Sequence, residues 1–115
     1  MVQKTFSIFK EKNKVKVQIG NDAFVLDDSE RKALFNCFSN VKESRFLFPS
    51  NLYGTAIMYP NGLIAANISV GKCDLAGTKY LVFAYSLTPN SSQYDVNMFM
   101  VTNEGFDQYM DALSQ

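Results

Sequence analysis

The sequence predicts an α+β protein in which mostly antiparallel strands pack against two amphipathic helices. Apolar and polar residues alternate near the N-terminus, which is the pattern of strands with one buried face. Two later stretches carry apolar residues at the i, i+3, i+4 and i+7 spacing of a helix. Turn-forming residues separate these segments. The 115 residues are expected to form a single domain, because this length suits one core and is too short for two.

The chain opens with a predicted hairpin. Phe6 and Ile8 alternate in its first strand, residues 11–13 turn, and the second strand carries three β-branched residues on one face, Val15, Val17 and Ile19. Residues 20–22 supply turn chemistry, and residues 23–26 form a short third strand.

A helix is predicted next. Asp27, three residues before Glu30, fits a capping box, in which each side chain bonds the backbone N–H of the other residue. The apolar stripe of this helix consists of Leu34, Cys37, Phe38 and Val41. The helix is expected to end near Asn40, with Cys37 as a buried, inert thiol.

The second half reads as further hairpins. A connection is expected at 42–54, where Phe46, Leu47 and Phe48 attach it to the core. Strands at 55–59 and 63–70 then form a hairpin around a turn at 60–62. After a loop at 71–78, strands at 79–87 and 94–101 form another hairpin around a turn at 88–92. Cys73 falls in the 71–78 loop, an interpretation that lets its thiol reach solvent.

A second helix closes the chain. Thr102 or Asn103 is the expected cap, and the apolar stripe is Phe106, Tyr109, Met110 and Leu113. A shift of 75 residues aligns the apolar positions of the two strands-then-helix segments, which suggests sub-repeats at 4–41 and 79–114. The alternative is one mixed sheet covered by two helices.

The composition excludes several kinds of chemistry. The chain has no histidine, which removes His-dependent triads and most catalytic zinc sites. Its two cysteines form no metal-ligating pair, and no phosphate-cradling glycine motif occurs, so no metal and no cofactor are expected. We therefore expect a protein without enzymatic activity. No apolar run reaches the roughly 18 residues of a membrane span, so we expect no membrane partner and a cytoplasmic or other intracellular location.

Charges cancel overall, at 11 basic and 11 acidic residues, but are unevenly distributed. The first 20 residues hold five lysines opposed by Glu11 alone. Residues 95–115 hold four acidic residues and no basic one: Asp95, Glu104, Asp107 and Asp111. This polarity fits opposed binding surfaces or self-complementary subunits, and it equally fits lysines that protect sheet edges beside a solvated helix.

Alternation also sorts the first hairpin into two faces. If Val15 and Val17 point to the core, their neighbours point away. The outer surface then carries the candidate nucleic-acid-binding residues Ser7, Phe9, Lys12, Lys14, Lys16 and Gln18. A phenyl ring among lysines offers single-stranded nucleic acid a stacking plane and cations for its phosphates. The alternative is that Phe9 is buried beneath a helix or a partner subunit. Residues expected to extend the surface are Tyr59, Asn67, Ser69, Lys72 and Tyr80.

The same residues carry a family resemblance. Residues 6–19 and 24–34 resemble the strands-then-helix unit of the transcription coactivator positive cofactor four, and the doubled order of elements is similar to that of the plant Whirly proteins. The resemblance implies a transcriptional-regulator fold that binds single-stranded DNA on a curved sheet, with helices in the core or the subunit interface. By position, Lys14 and Lys16 match the basic strand, and Phe9 matches a stacking residue.

The sequence supports two functional hypotheses. The first is a homo-oligomeric, sequence-tolerant single-stranded nucleic-acid-binding protein, such as a dimeric viral or mobile-element accessory of replication or transcription. The second is a protein-interaction module, for example an inhibitor that docks on a host protein through its acidic last helix.

Overall fold

The structure, a computed structural model, describes residues 2–3, 5–45, 51–58, 64–87 and 97–114. Its elements are, in chain order, β1 (Val2–Gln3), β2 (Phe6–Glu11), β3 (Lys14–Ile19), β4 (Asp22–Leu26), α1 (Asp28–Glu43), β5 (Tyr53–Met58), β6 (Ile64–Leu75), β7 (Thr78–Leu87), β8 (Asn97–Thr102), a 3₁₀ turn (Asn103–Gly105) and α2 (Phe106–Leu113). The predicted α+β class with two helices is confirmed.

The described strands form two sheets. The larger has the order β1-β8-β7-β6-β5, and the smaller has the order β2-β3-β4. All neighbours are antiparallel except the short β1, which runs parallel to β8. The small sheet is therefore a plain meander, and its register decides which residues share a face.

One hydrophobic cluster joins both sheets to both helices. It includes Ile8 and Val17 from the small sheet, Phe83 from the large one and Phe38 from α1. The Phe6 ring lies 4.2 Å from the Phe83 ring, and it meets the Tyr109 ring of α2 edge-on at 5.1 Å, centroid to centroid. Because the small sheet faces this cluster, only its opposite face is turned toward solvent.

The first helix begins as predicted and ends later. Asp27 Oδ1 accepts from the Glu30 backbone N–H at 2.7 Å, and Glu30 Oε1 accepts from the Asp27 N–H at 2.9 Å, which confirms the capping box. The helix runs to Glu43, past the expected end near Asn40. Its last turn is held by Lys72 Nζ, which donates to the Lys42 carbonyl at 3.3 Å, a contact that no local sequence pattern reveals.

The predicted loop at 71–78 is wrong. β6 continues through Leu75 and stays paired with β7, and only Ala76 and Gly77 turn, both with positive φ (52° and 85°). Gly77 takes this conformation without a Cβ clash, and its N–H donates to Asp74 Oδ1 at 2.9 Å. Cys73 is consequently a buried strand residue, and the interpretation that it can reach solvent is wrong; Cys37 is buried as predicted.

Capping of the last helix also differs from expectation. A 3₁₀ turn separates β8 from α2, so the cap position of α2 falls on Gly105, which has no side chain to offer. Thr102 makes no side-chain capping bond. The apolar stripe is nevertheless correct, with Phe106 and Leu113 buried.

The proposed sub-repeats stay a prediction. The 75-residue shift matches β2 to β7 and β4 to β8. However, β3 separates β2 from β4, whereas β7 pairs directly with β8. The expected turns at 60–62 and 88–92, and the apolar pin at 46–48, lie outside the described residues.

Candidate nucleic-acid interface

The register of the small sheet sets its two faces. Across β2, β3 and β4, the inner rows place Ile8 opposite Val17 and Val17 opposite Phe24. The next row belongs to the other face: Phe9 lies opposite Lys16, and Lys16 lies opposite Val25. A parallel outer row joins Ser7, Gln18 and Ala23, and a third pairs Glu11 with Lys14. The structure therefore brings Ser7, Phe9, Lys14, Lys16 and Gln18 onto one surface, which we call the outer face.

Phe9 occupies the middle of the outer face. Its side chain is half-buried, and it does not belong to the core cluster or to the apolar side chains packed against that cluster. The described helices pack on the opposite side, where the Ile8 side chain is 6% exposed. Phe9 thus keeps partial exposure on the outer face, directly across the strand pair from Lys16.

Lys16 is paired within the face. Its Nζ lies 3.0 Å from Glu11 Oε1, in an ion pair whose side chains are 28% and 52% exposed. A partly solvated pair of this kind contributes only about 0–1 kcal/mol to folding. The carboxylate nevertheless competes with any anion for the Lys16 ammonium, and it lies on the same face as the candidate stacking ring.

Lys12 lies at the tip of the hairpin. β2 and β3 are joined by only two residues, Lys12 and Asn13, with φ of 53° and 66°. Positive φ at both central positions is the signature of a type I′ turn, where Asn and Gly are favoured and Lys is not. Lys12, Asn13 and Lys14 are all exposed, so the tip presents two ammonium groups to solvent.

The expected extensions of the face do not join it. Asn67, Ser69 and Tyr80 belong to the larger sheet, which is a separate hydrogen-bonded unit. Lys72 lies on the opposite side of β6 from Asn67 and Ser69, and it caps α1 instead. Tyr59 lies outside the described residues. The prediction that Asn67, Ser69, Lys72 and Tyr80 lengthen the surface is wrong, because their strands belong to the other sheet. For Tyr59 it stays a prediction.

Two outer-face residues are missing from the predicted surface. The sequence pattern puts Glu11 in the turn, but the turn has only two residues and Glu11 is the last residue of β2. Val25, with 48% of its surface exposed, completes the row of Phe9 and Lys16. The alternation of Phe24, Val25 and Leu26 was the signal that could have located it.

The acidic residues lie on another element. Glu104, Asp107 and Asp111 are exposed in the 3₁₀ turn and in α2, and Asp95 lies outside the described residues. The acidic surface and the lysine-bearing hairpin therefore belong to different parts of the fold.

Comparisons with known proteins supply no relative: no protein-family model and no curated protein matches the chain. No helix in the described part of the chain combines the length and the apolar character that a membrane crossing requires. Among the same residues, no group of three potential metal-ligating His, Cys, Asp or Glu side chains is gathered.

Proposed function

We propose that the protein binds single-stranded nucleic acid, with little sequence preference, on the outer face of its small sheet. The observation that carries the proposal is the cross-strand row of Phe9, Lys16 and Val25. It sets a partly open aromatic ring and an exposed apolar residue on either side of a cation. A base can stack on the ring while its phosphate meets the ammonium group.

The local charge of the hairpin supports binding of nucleic acid, although the chain as a whole has no net charge. The hairpin segment 11–16 contains three lysines and one carboxylate, that of Glu11. Screening limits electrostatic reach to about 8–10 Å at physiological salt, so a bound strand responds to this segment more than to distant acidic groups. The exposed carboxylates of α2 lie on a different element and do not share the outer face.

The expected affinity is modest. One stacked base contributes roughly 1–3 kcal/mol, and sequence-independent phosphate contacts alone give dissociation constants of about 10⁻⁴–10⁻⁶ M at physiological salt. Assembly of two or more copies, which the resemblance to positive cofactor four favours, would add avidity if their outer faces engage the same strand. A role as a replication or transcription accessory follows from the same resemblance and belongs to this proposal.

The experiment is a titration of fluorescent oligo-dT at several salt concentrations, with light scattering on the same samples for the number of subunits. Lys14→Ala with Lys16→Ala should flatten the salt dependence, by about 0.7 in log–log slope per lost phosphate contact. Phe9→Ala should weaken binding and leave the slope unchanged, because it removes stacking without removing charge.

The matched control replaces Lys32 and Lys42, two exposed lysines of α1, by alanine. This variant loses the same charge and should bind like the native chain. Absence of oligo-dT binding by the native protein at low salt would refute the proposal, as would equal losses in the hairpin and control variants.

A second candidate rests on the exposed acidic residues of the C-terminal elements, Glu104, Asp107 and Asp111. They fit a protein-interaction module that docks on a basic surface of a host protein, where complementary charge speeds encounter. Its test is capture of one defined partner after nuclease treatment, with loss of capture on Asp107→Asn and Asp111→Asn. Capture that disappears with nuclease favours the nucleic-acid function instead.

A further inference from the structure

A cavity of about 370 Å³ lies where the β2–β3 hairpin meets the start of α1. Its floor is the inner row closest to the hairpin tip, in which Lys10 pairs with Val15 and Val15 with Leu26. The first turn of α1 forms the facing wall, and Lys14, a residue of the outer face, also belongs to the lining. Lys14 is therefore shared by the outer face and the cavity.

Three cationic side chains line the cavity. Lys10 and Lys14 are exposed residues of the hairpin, whereas the Arg31 side chain is only 11% exposed. Arg31 Nη1 donates to the Leu113 carbonyl at 2.6 Å, which fixes the guanidinium between the two helices. Its buried Nε has no hydrogen-bond acceptor among the described residues. The nearest carboxylate oxygen, Asp28 Oδ1, is 3.9 Å away, so the guanidinium charge in this wall is only loosely compensated.

The two carboxylates of the lining oppose these cations weakly. Asp27 Oδ1 is turned onto the helix, where the Glu30 N–H donates to it at 2.7 Å. The Asp28 side chain is 95% exposed and is directed largely into solvent. The 16-residue helix α1 adds the positive end of its dipole at this wall. The lining thus carries one more positive than negative side chain, before the dipole is counted.

We propose that this cavity binds a phosphate group, held directly by the ammonium groups of Lys10 and Lys14 and attracted by the charge of Arg31. The assignment of this phosphate to the end of a bound nucleic-acid strand rests on the proposed function. A strand that stacks on Phe9 and passes Lys14 ends against α1, so a terminal phosphate reaches the cavity and a continuing strand meets the helix wall. Free inorganic phosphate offers the same chemistry from a second source.

The test compares oligo-dT carrying a 5′-phosphate, a 3′-phosphate or only hydroxyl ends, with inorganic phosphate as competitor. One phosphorylated end should bind about tenfold more tightly than the hydroxyl form, the scale of a charge-assisted hydrogen bond. Millimolar inorganic phosphate should remove that advantage and shift the backbone amide resonances of Lys10 and Asp28.

Variants locate the effect in the cavity. Lys10→Gln should abolish the advantage of the phosphorylated end and leave binding of the hydroxyl form within about twofold, because Lys10 is not on the outer face. Asp28→Asn should enlarge the advantage, since it removes an opposing carboxylate. Lys32→Gln, an exposed α1 lysine outside the lining, is the matched control and should change neither value.

The outcomes separate the two proposals. Equal affinity for all three ends, with no phosphate-induced shifts, overturns the phosphate cavity while bound hydroxyl oligo-dT still supports the outer-face function. Absence of all oligo-dT binding overturns the outer-face function. In that case, phosphate-induced shifts that vanish in Lys10→Gln still establish the cavity as a site for free phosphate, and absence of such shifts overturns it as well.

Discussion

Replacement of Glu11 by glutamine should strengthen nucleic-acid binding while slightly weakening the fold. The carboxylate lies 3.0 Å from Lys16 Nζ, in the row next to Phe9. Glutamine keeps the size and the strand position of the side chain but removes its charge. The substitution therefore isolates the electrostatic role of Glu11 on the outer face.

The magnitude follows from the geometry. A phosphate held about 3 Å from the far side of Lys16 Nζ would lie about 6 Å from the Glu11 carboxylate, where two like charges in water repel by about 0.7 kcal/mol. Release of Lys16 from its pair adds at most about 1 kcal/mol, because the pair is partly solvated. Together these effects, about 0.7–1.7 kcal/mol, predict binding that is about three- to eighteenfold tighter at low salt.

Anisotropy titrations with oligo-dT measure the affinity, and thermal unfolding measures the stability. The loss of the ion pair should lower stability by less than about 1 kcal/mol, so affinity and stability should move in opposite directions. Glu104→Gln, which removes an exposed carboxylate from the 3₁₀ turn, is the control and should leave affinity unchanged. Unchanged or weaker binding by Glu11→Gln would refute the claim that phosphates approach Lys16.

Three other expectations concern single residues. Asp27→Ala removes the capping bond that Asp27 Oδ1 accepts from the Glu30 N–H and should cost about 1 kcal/mol in denaturant unfolding, with affinity for hydroxyl-ended oligo-dT retained. Lys12→Asn and Ala76→Asn should each raise the melting temperature, because Asn tolerates positive φ, but only Lys12→Asn should weaken oligo-dT binding. Burial raises the pKa of the Tyr109 phenol, so the unfolded chain ionises first as pH rises; stability should fall above about pH 10, and Tyr109→Phe should reduce that fall.

Local sequence patterns predicted correctly those features that depend on a single strand or helix. The parity of Val15, Val17 and Ile19 correctly assigned the inner face of β3, and all three are at most 3% exposed. Asp27 and Glu30 lie within one helical turn, so the capping box could be predicted from four residues. The position of Phe9 on the outer face followed from the same parity.

Long-range features could not be predicted in this way. β1 is two residues long and pairs in parallel with a strand almost at the other end of the chain, where no local periodicity indicates a partner. Gly71 suggested a loop, but its extended neighbours keep the ladder to Val82 intact. Arg31, which lines the cavity, is bonded to the Leu113 carbonyl, a contact between two helices that are distant in sequence. Tertiary pairing, rather than propensity, decides each of these features.

Two of the tight hairpins among the described residues, β2–β3 and β6–β7, allow strain and function to be separated. Both turns begin with a non-glycine residue at nearly the same positive φ, 53° at Lys12 and 52° at Ala76, so backbone strain alone assigns a role to neither. In the β6–β7 turn the next residue is Gly77, whose N–H donates to Asp74 Oδ1 and supports the turn. The β2–β3 turn instead combines the same strain with a lysine, next to a strand that keeps Phe9 on its solvent side. Departures from local preference that cluster in one segment are typical of functional sites. Ala76 has the same backbone strain as Lys12 but no charge. If Lys12→Asn weakens oligo-dT binding and Ala76→Asn does not, the lysine in the strained turn serves to recognise an anionic partner.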